Sequence, residues 1–302
     1  MSLPFYDLQK PDELKAALRD LRGFWKLWSA CLLGSSGLPT LRGIILTRSS
    51  PEMDVELRRF LHDVGSTVAL IRHDKRPEAP PHPRGGFLVG KALLQETIEF
   101  FFALDRIVAV YEKADPLLNM HNINLMFENE REIRIEVVGP GFDASDLQRG
   151  DITPHESFSV SLSPEGAISD IKLVNRVDQT TYEEFVASRK DKLRKKLESS
   201  PSPGLARKIR EDLGIAENLD VYLQTIKSPL CESQSYRPIS TELLRDTITK
   251  IVQSGIIPLY TTSTNAGFPL VFSTSLINRG VKQVFWDIVS PALKFEGLTV
   301  RA

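Results

Sequence analysis

The spacing of hydrophobic residues predicts helices and strands that alternate along the N-terminal half of the chain. Over residues 11–33 an apolar residue recurs every three or four positions, which is the spacing of one amphipathic helix. Shorter apolar runs then predict strands, and helical spacing returns between them. The predicted strands are residues 43–47, 67–71 and 106–111, and the predicted helices are residues 51–64 and 90–103.

Two hairpins are predicted after the third strand. Residues 121–127 and 132–138 alternate between apolar and polar side chains across a short polar turn. Residues 157–162 and 167–173 repeat the pattern. Hairpins make antiparallel sheets, so the fold class expected is α+β, with antiparallel sheets flanked by helices.

The character of the sequence changes after residue 178. A charged helix begins there and runs to about residue 199, and residues 200–204 (SPSPG) have the composition of a linker. Residues 205–254 read as mainly helical, and 256–274 as two short strands. We therefore expect a region 1–178 that contains the site and a mainly helical C-terminal region 179–302 with two or three short strands.

Composition and charge exclude several classes of protein. The chain has 38 Lys and Arg against 39 Asp and Glu, and this balance argues against nucleic acid as the partner. Its two cysteines cannot form a disulfide scaffold or a cysteine zinc site. The sequence has no signal-peptide pattern and no apolar run of the roughly 20 residues that span a bilayer. The expectation is a soluble, cytoplasmic protein with no membrane partner.

Basic residues near two strand ends are candidates for binding phosphate. Arg48 precedes a predicted helix N-terminus, where free N–H groups and the helix dipole favour an anion. Arg72 leads into the proline-rich segment 73–86, whose Lys75 and Arg76 would make it a cationic flap over a polyphosphate. The alternatives are a surface arginine beside an N-cap and a solvated loop.

Two polar residues follow along the chain and could contact a nucleotide. Glu112 ends the third strand, where a carboxylate can accept a hydrogen bond from a ribose hydroxyl. Asn124 lies on the next predicted strand. A glutamate in that position is also simply the first solvated residue after a buried strand.

The segment from β-strand residue Glu136 to residue 156 concentrates acidic, basic and glycine residues. Glu136 with Asp143 and Asp146 would supply oxygen ligands for Mg²⁺, which uses few protein carboxylates together with phosphates. Arg149 and His155 would contact phosphate or orient a second substrate. The alternative is a structured turn in which the aspartates cap backbone groups.

The order of these parts over residues 42–156 resembles the ATP-grasp superfamily. In that family a strand and a cationic flap hold the phosphates, a strand ending in glutamate meets the adenosine, and late acidic residues bind magnesium. The matching positions are Arg72 with the 73–86 segment, Glu112, Asn124, and Glu136 with Asp143 or Asp146. The resemblance implies ATP and Mg²⁺ as cofactors, an ATP-grasp-like fold and an acyl-phosphate route.

Three functional hypotheses follow. The first is an ATP- and Mg-dependent enzyme of ligase or phosphotransferase type that binds a nucleotide and acts on a small-molecule or peptide carboxylate. The second is a non-catalytic scaffold of a larger assembly that docks through the 180–254 helices. The third is a nucleic-acid-processing protein that uses the 73–86 segment and the basic run at residues 189–196.

Overall fold

Two antiparallel sheets and their helices make up the described part of the chain. The computed structural model describes residues 3–65, 68–75, 86–90, 94–112, 121–139, 142, 147, 152–185, 187–188, 238–277 and 282–290. It divides into two compact units, each assembled from separate stretches of chain. The first unit comprises residues 1–27, 41–114 and 180–235, and the second comprises 28–40, 115–179 and 236–302. The predicted α+β class with antiparallel sheets is confirmed.

The first unit is built on a five-stranded sheet. Its strands are β1 (Phe5–Asp7), β2 (Gly43–Leu46), β3 (Val68–Lys75), β4 (Gly86–Gly90) and β5 (Arg106–Tyr111). They lie in the order β1-β2-β5-β3-β4, and every neighbouring pair is antiparallel. All six residues of β5 are buried, so both faces of this central strand are covered.

Two of the helices in this part of the chain pack on one face of this sheet. The helices in this part of the chain are α1 (Pro11–Asp20), α2 (Trp25–Ser35), α3 (Pro51–Asp63) and α4 (Leu94–Ala103). Alternate residues of three strands, among them Ile71 and Val110, form one core cluster with Met53 and Leu57 of α3 and Ile98 of α4. This two-residue period on the strands and three-to-four-residue period on the helices is the pattern read from the sequence.

The start of α3 follows the sequence prediction. Ser50 is the N-cap and its Oγ accepts a hydrogen bond from the backbone N–H of Met53 at 3.1 Å. Pro51 occupies the first helical position, where its missing N–H costs nothing. Local sequence therefore determines where this helix begins.

The predicted single helix over residues 11–33 is wrong. The chain forms α1 and α2, separated by residues 21–24. Asp74 of β3 supplies the cap of α2, because its Oδ2 accepts hydrogen bonds from the backbone N–H groups of Lys26 at 2.7 Å and Leu27 at 3.3 Å. A cap that comes from 48 residues away leaves no local sequence signal.

The second unit is built on a six-stranded sheet. Its strands are β6 (His121–Phe127), β7 (Glu132–Val138), β8 (Glu156–Leu162), β9 (Ile168–Arg176), β10 (Leu270–Ile277) and β11 (Lys282–Val289). Their order is β11-β10-β6-β7-β8-β9, all antiparallel. Both predicted hairpins are confirmed, as β6–β7 and β8–β9.

Helix α5 (Thr241–Gln253) and helix α6 (Ile256–Thr264) belong to the second unit. Helix α5 lies on the apolar face of the sheet, where Gln283 Nε2 of β11 donates a hydrogen bond to Thr247 Oγ1 at 2.7 Å. The predicted strand pair over 256–274 is wrong in its first half, which is α6. Pro258 lies in the first turn of that helix, where its backbone nitrogen has no intrahelical acceptor.

The last two strands complete the sheet that the hairpins begin. Strand β10 lies between β11 and β6, so residues from the predicted C-terminal region share a sheet with β6–β9. The division at residue 178 stays a prediction. Within the described ranges, no helix combines the length and apolarity that crossing a membrane requires.

Candidate functional site

The two faces of the six-stranded sheet differ in polarity. Ile123, Leu125 and Phe127 of β6 point to the face that α5 covers and are fully buried. The alternate positions form the opposite face, which we call the polar face. Its polar residues on the four central strands include Asn122 and Asn124 of β6, Arg134 and Glu136 of β7, Ser157 and Ser159 of β8, and Ser273 and Ser275 of β10.

Asn124 and Glu136 are direct neighbours on the polar face. Asn124 lies opposite Glu136 of β7 on one side and opposite Ser273 of β10 on the other. Ser273 Oγ donates a hydrogen bond to Asn124 Oδ1 at 2.8 Å. Asn124 is 5% exposed, so this bond fixes the orientation of a buried amide beside a carboxylate. Two of the predicted site residues are therefore brought together.

Glu136 lies where the polar face changes from buried to exposed. Its side chain is 27% exposed, whereas Ser159, farther from β10, is exposed. Among the described residues Arg134 pairs with Glu136: Arg134 Nε is 3.6 Å from Glu136 Oε1, and half of the Arg134 side chain is exposed. A pair this loose and this accessible contributes little stability. The Glu136 carboxylate can therefore exchange Arg134 for another cation at low cost.

A chain of hydrogen bonds crosses the same face beside Asn124. Trp286 Nε1 of β11 donates to Ser275 Oγ at 2.6 Å, and Ser275 Oγ donates to Asn122 Oδ1. The Asn122 amide Nδ2 donates in turn to the backbone carbonyl of Phe142. The chain joins three strands to the segment that follows β7.

His155 directly precedes β8 and is fully buried beside the end of β7. Its backbone N–H donates to Val137 O at 2.8 Å, and its ring Nδ1 accepts from the Gly139 N–H at 2.9 Å. The Phe142 ring meets the imidazole edge-on, with centroids 4.6 Å apart. Burial, and secondarily the charge of His121, lowers the pKa of His155 to about 4. The imidazole is therefore neutral at neutral pH, with its proton on Nε2.

The residue after His155 is a buried carboxylate with two partners. Glu156 Oε1 accepts from Arg176 Nε at 2.7 Å, and Oε2 accepts from the Ile239 N–H at 2.8 Å. Glu156 is 0% exposed, so these bonds are what make its burial tolerable. They tie β8 to β9 and to Ile239, two residues before the start of α5.

In the first unit, Arg72 and Lys75 leave opposite faces of β3. They are three residues apart on a strand with regular pairing to β5, so their side chains alternate to different sides. Arg72 is buried and Lys75 half-buried. The structure does not bring these two predicted phosphate ligands to the same face.

The predicted loop over 73–86 begins later than the sequence indicates. Residues 73–75 continue β3, because they pair with residues 106–108 of β5. His73 is buried, its ring stacks on Phe101 at 4.1 Å, and its Nδ1 accepts a hydrogen bond from Arg106 Nη1 at 2.8 Å. His73 is therefore part of the sheet and no part of a flap.

Arg48 and Glu112 lie elsewhere in the first unit. Arg48 is exposed between β2 and the N-terminus of α3. Glu112 follows β5, and its Oε1 accepts from the backbone N–H of Arg42 at 3.2 Å while its own N–H donates to Arg42 O. That carboxylate helps to continue the β2–β5 pairing by one residue.

Four predicted site residues lie outside the described residues. They are Arg76, Asp143, Asp146 and Arg149. Among the residues that are described, no three His, Cys, Asp or Glu side chains come together as a metal-binding group. The proposed roles of the site residues therefore stay predictions.

The sequence analysis missed three residues of the polar face. They are Ser273, Ser275 and Trp286, which bond to the asparagines or to each other. A signal was present for the serines, since they alternate with Phe272, Thr274 and Leu276 along one strand.

Known proteins were compared with the chain at the level of sequence and structure. No family model matches the sequence, and no curated protein is similar to it. Among solved structures, the chain is similar to D-alanyl-alanine synthetase A from Vibrio cholerae at 11% identity and a TM-score of 0.41, over 89% of this chain and 55% of that one.

Two further solved structures carry related names. D-cycloserine synthetase DcsG is 12% identical with a TM-score of 0.29, over 50% of this chain and 62% of that one. A D-alanine–D-alanine ligase from Bacillus anthracis complexed with ATP is 14% identical with a TM-score of 0.25, over 49% and 53%. At these identities and TM-scores the likenesses carry no argument about the family or the site of this chain.

Proposed function

We propose that the chain is an ATP- and Mg-dependent enzyme of ligase or phosphotransferase type that acts on a small-molecule or peptide carboxylate. The observation that carries the proposal is the Asn124–Glu136 pair on the polar face. An amide held by Ser273 and a partly exposed carboxylate lie opposite each other on neighbouring strands. Together they place an amide and a carboxylate on adjacent strands at the edge of the buried part of the sheet.

These few protein oxygens suit Mg²⁺, which also takes water and phosphate ligands. They would not suffice for a metal whose ligands all come from the protein. Magnesium prefers oxygen ligands and is usually bound by one or two carboxylates together with water and substrate phosphates. Glu136 would supply a carboxylate as part of the protein share, and no larger acidic cluster occurs in the described residues. When bound, the ion would neutralise phosphate charge.

The residues of the chain would then divide the work as follows. Glu136 would bind the metal with Asp143 and Asp146 as further ligands, and Asn124 would contact the nucleotide. Arg48, Arg76 and one of Arg72 and Lys75, which leave opposite faces of β3, would balance the charge of the nucleotide phosphates. Glu112 would contact the ribose, and Arg149 would orient the carboxylate substrate. Because its imidazole is neutral, His155 suits a role in positioning other groups better than a role that needs a positive charge.

The first test is the thermal midpoint of the protein with and without Mg-ATP. A ligand at ten times its dissociation constant stabilises the folded state by about 1.4 kcal/mol. We expect a rise of a few degrees that requires Mg²⁺. Glu136→Gln, which keeps the shape of the side chain and removes its charge, should abolish the rise.

The matched control is Glu130→Gln, in the exposed turn between β6 and β7. It removes the same charge from the same hairpin and should leave the rise unchanged. If the folded wild type shows no shift at millimolar Mg-ATP, the proposal is wrong and the scaffold hypothesis gains. If both glutamate variants behave alike, Glu136 is no metal ligand.

A further inference from the structure

The chain leaves the six-stranded sheet immediately after the candidate metal ligand. Strand β7 ends at Val138, two residues beyond Glu136. The last backbone pair between β7 and β8 joins Val137 to Glu156. Whatever holds the chain at Gly139 therefore also fixes the end of the strand that carries Glu136.

Where the backbone pairing between β7 and β8 stops, the side chain of His155 adds one further hydrogen bond between the two segments. Its N–H donates to Val137 O at 2.8 Å, and its ring Nδ1 accepts from the Gly139 N–H at 2.9 Å. The ring nitrogen thus takes the place of the backbone carbonyl that a further residue pair would supply. Val177 N–H donates to His155 O at 2.8 Å, which anchors the residue from the β9 side.

Asn122 holds the same segment from the other neighbouring strand. It lies opposite Val138, and its Nδ2 donates to Phe142 O. Its Oδ1 is already oriented by Ser275, which Trp286 orients in turn. The Phe142 ring packs edge-on against the His155 ring, so the residue that Asn122 holds also contacts His155.

We propose that His155 and Asn122 are positioning residues for the candidate site: they fasten the chain where it leaves β7 and thereby hold Glu136 in register with Asn124. This inference rests on the proposed function. Neither side chain contacts substrate. Partners of this kind, one step removed from a metal ligand, typically change metal affinity by about 10- to 100-fold when they are removed.

The test compares two substitutions of one residue. His155→Phe keeps a planar ring against Phe142 and cannot accept from Gly139. His155→Asn places an oxygen close to the position of Nδ1 and can. In ligand-free protein, amide exchange at Gly139 should be about tenfold faster in H155F than in wild type, and H155N should restore protection.

The functional measurement is the Mg²⁺ concentration that gives half of the Mg-ATP thermal shift. It should rise about tenfold in H155F and return toward the wild-type value in H155N. A merely structural role would lower the midpoint of the ligand-free protein without moving this concentration. If H155F fails to fold, Asn122→Asp takes its place, because it keeps the oxygen that accepts from Ser275 and loses the donor to Phe142.

The outcomes separate this inference from the proposed function. Equal Mg²⁺ concentrations in wild type and H155F, or an H155N variant that behaves like H155F, would overturn the positioning role alone. A wild type whose Gly139 amide is protected but which shows no Mg-ATP shift would overturn the proposed function and the positioning role with it.

Discussion

Buried polar residues of the second unit are joined by hydrogen bonds on the polar face. Asn122, Asn124 and Ser273 are each about 5% exposed or less, and a polar group placed there costs stability unless it is hydrogen-bonded. Each has a defined partner in the structure. Their orientations are consequently set before any ligand arrives, which is what a preorganised binding surface requires.

A single residue, His155, makes the stability of the folded protein depend on pH. Its pKa is about 4 in the folded protein and near 6.5 in the unfolded chain, so between these values only the unfolded chain takes up the proton. The contribution of His155 to the free energy of unfolding is therefore complete above about pH 6.5 and is lost as the pH falls toward 4. Among the described residues, His121 acts electrostatically on the imidazole, and the adjacent Glu156 is paired with Arg176.

The prediction is tested by urea unfolding of wild type and His155→Asn at pH 7 and pH 5. At about 1.4 kcal/mol per pKa unit, the wild type should lose about 2 kcal/mol more than the variant over this interval. The variant carries every other titrating group of the protein. Equal losses in the two proteins would mean that the pKa of His155 is not lowered in the fold.

Among the elements, α2 shows how a helix can depend on a distant strand. The N-terminal N–H groups of a helix need acceptors, and here Asp74 of β3 supplies them for Lys26 and Leu27. Its other oxygen accepts from the Lys75 N–H at 2.9 Å. Burial raises the pKa of Asp74, and these hydrogen bonds oppose that rise.

Asp74→Ala should therefore destabilise the protein by about 2 kcal/mol, at the upper end for a lost helix cap. Amide exchange at Lys26 and Leu27 should accelerate with it. Asp63→Ala, which removes an exposed aspartate at the end of α3, is the control and should change stability by less than about 0.5 kcal/mol. Unchanged protection at the start of α2 would contradict the assignment of the cap.

Elements that depend on neighbouring residues could be predicted from sequence, and those that depend on distant partners could not. The β6–β7 hairpin follows from alternation and a short turn, and it already places Asn124 opposite Glu136. The break between α1 and α2 depends on Asp74, and the extension of β3 depends on its pairing with β5. Ser273 reaches Asn124 only through the fold, across 149 residues.

For the molecule as a whole, the six-stranded sheet depends on its late strands. Phe272 of β10 is fully buried and its ring meets Phe127 of β6 edge-on at 5.4 Å. This contact lies where the late strands join the hairpins. The stability of the second unit should therefore be sensitive to a residue that lies outside the predicted region 1–178.

Phe272→Ala should cost about 3–5 kcal/mol in the free energy of unfolding, because it leaves a cavity between β10 and β6. Denaturant unfolding measures the loss, and hydrogen exchange in β6 locates it. Val55→Ala removes a side chain that is 62% exposed on α3 and should be nearly neutral. A loss below about 1 kcal/mol for Phe272→Ala would show that β10 is not packed as described.

The position of β10 also bears on how the protein is made. On a ribosome, β6 emerges long before the strand that pairs with it, since Asn124 and Ser273 are 149 residues apart. At about 5–20 residues per second, that interval is on the order of ten seconds or more. During it the nascent hairpins present an open strand edge and an uncovered apolar face, so chaperone occupancy at this stage should govern the yield of native protein.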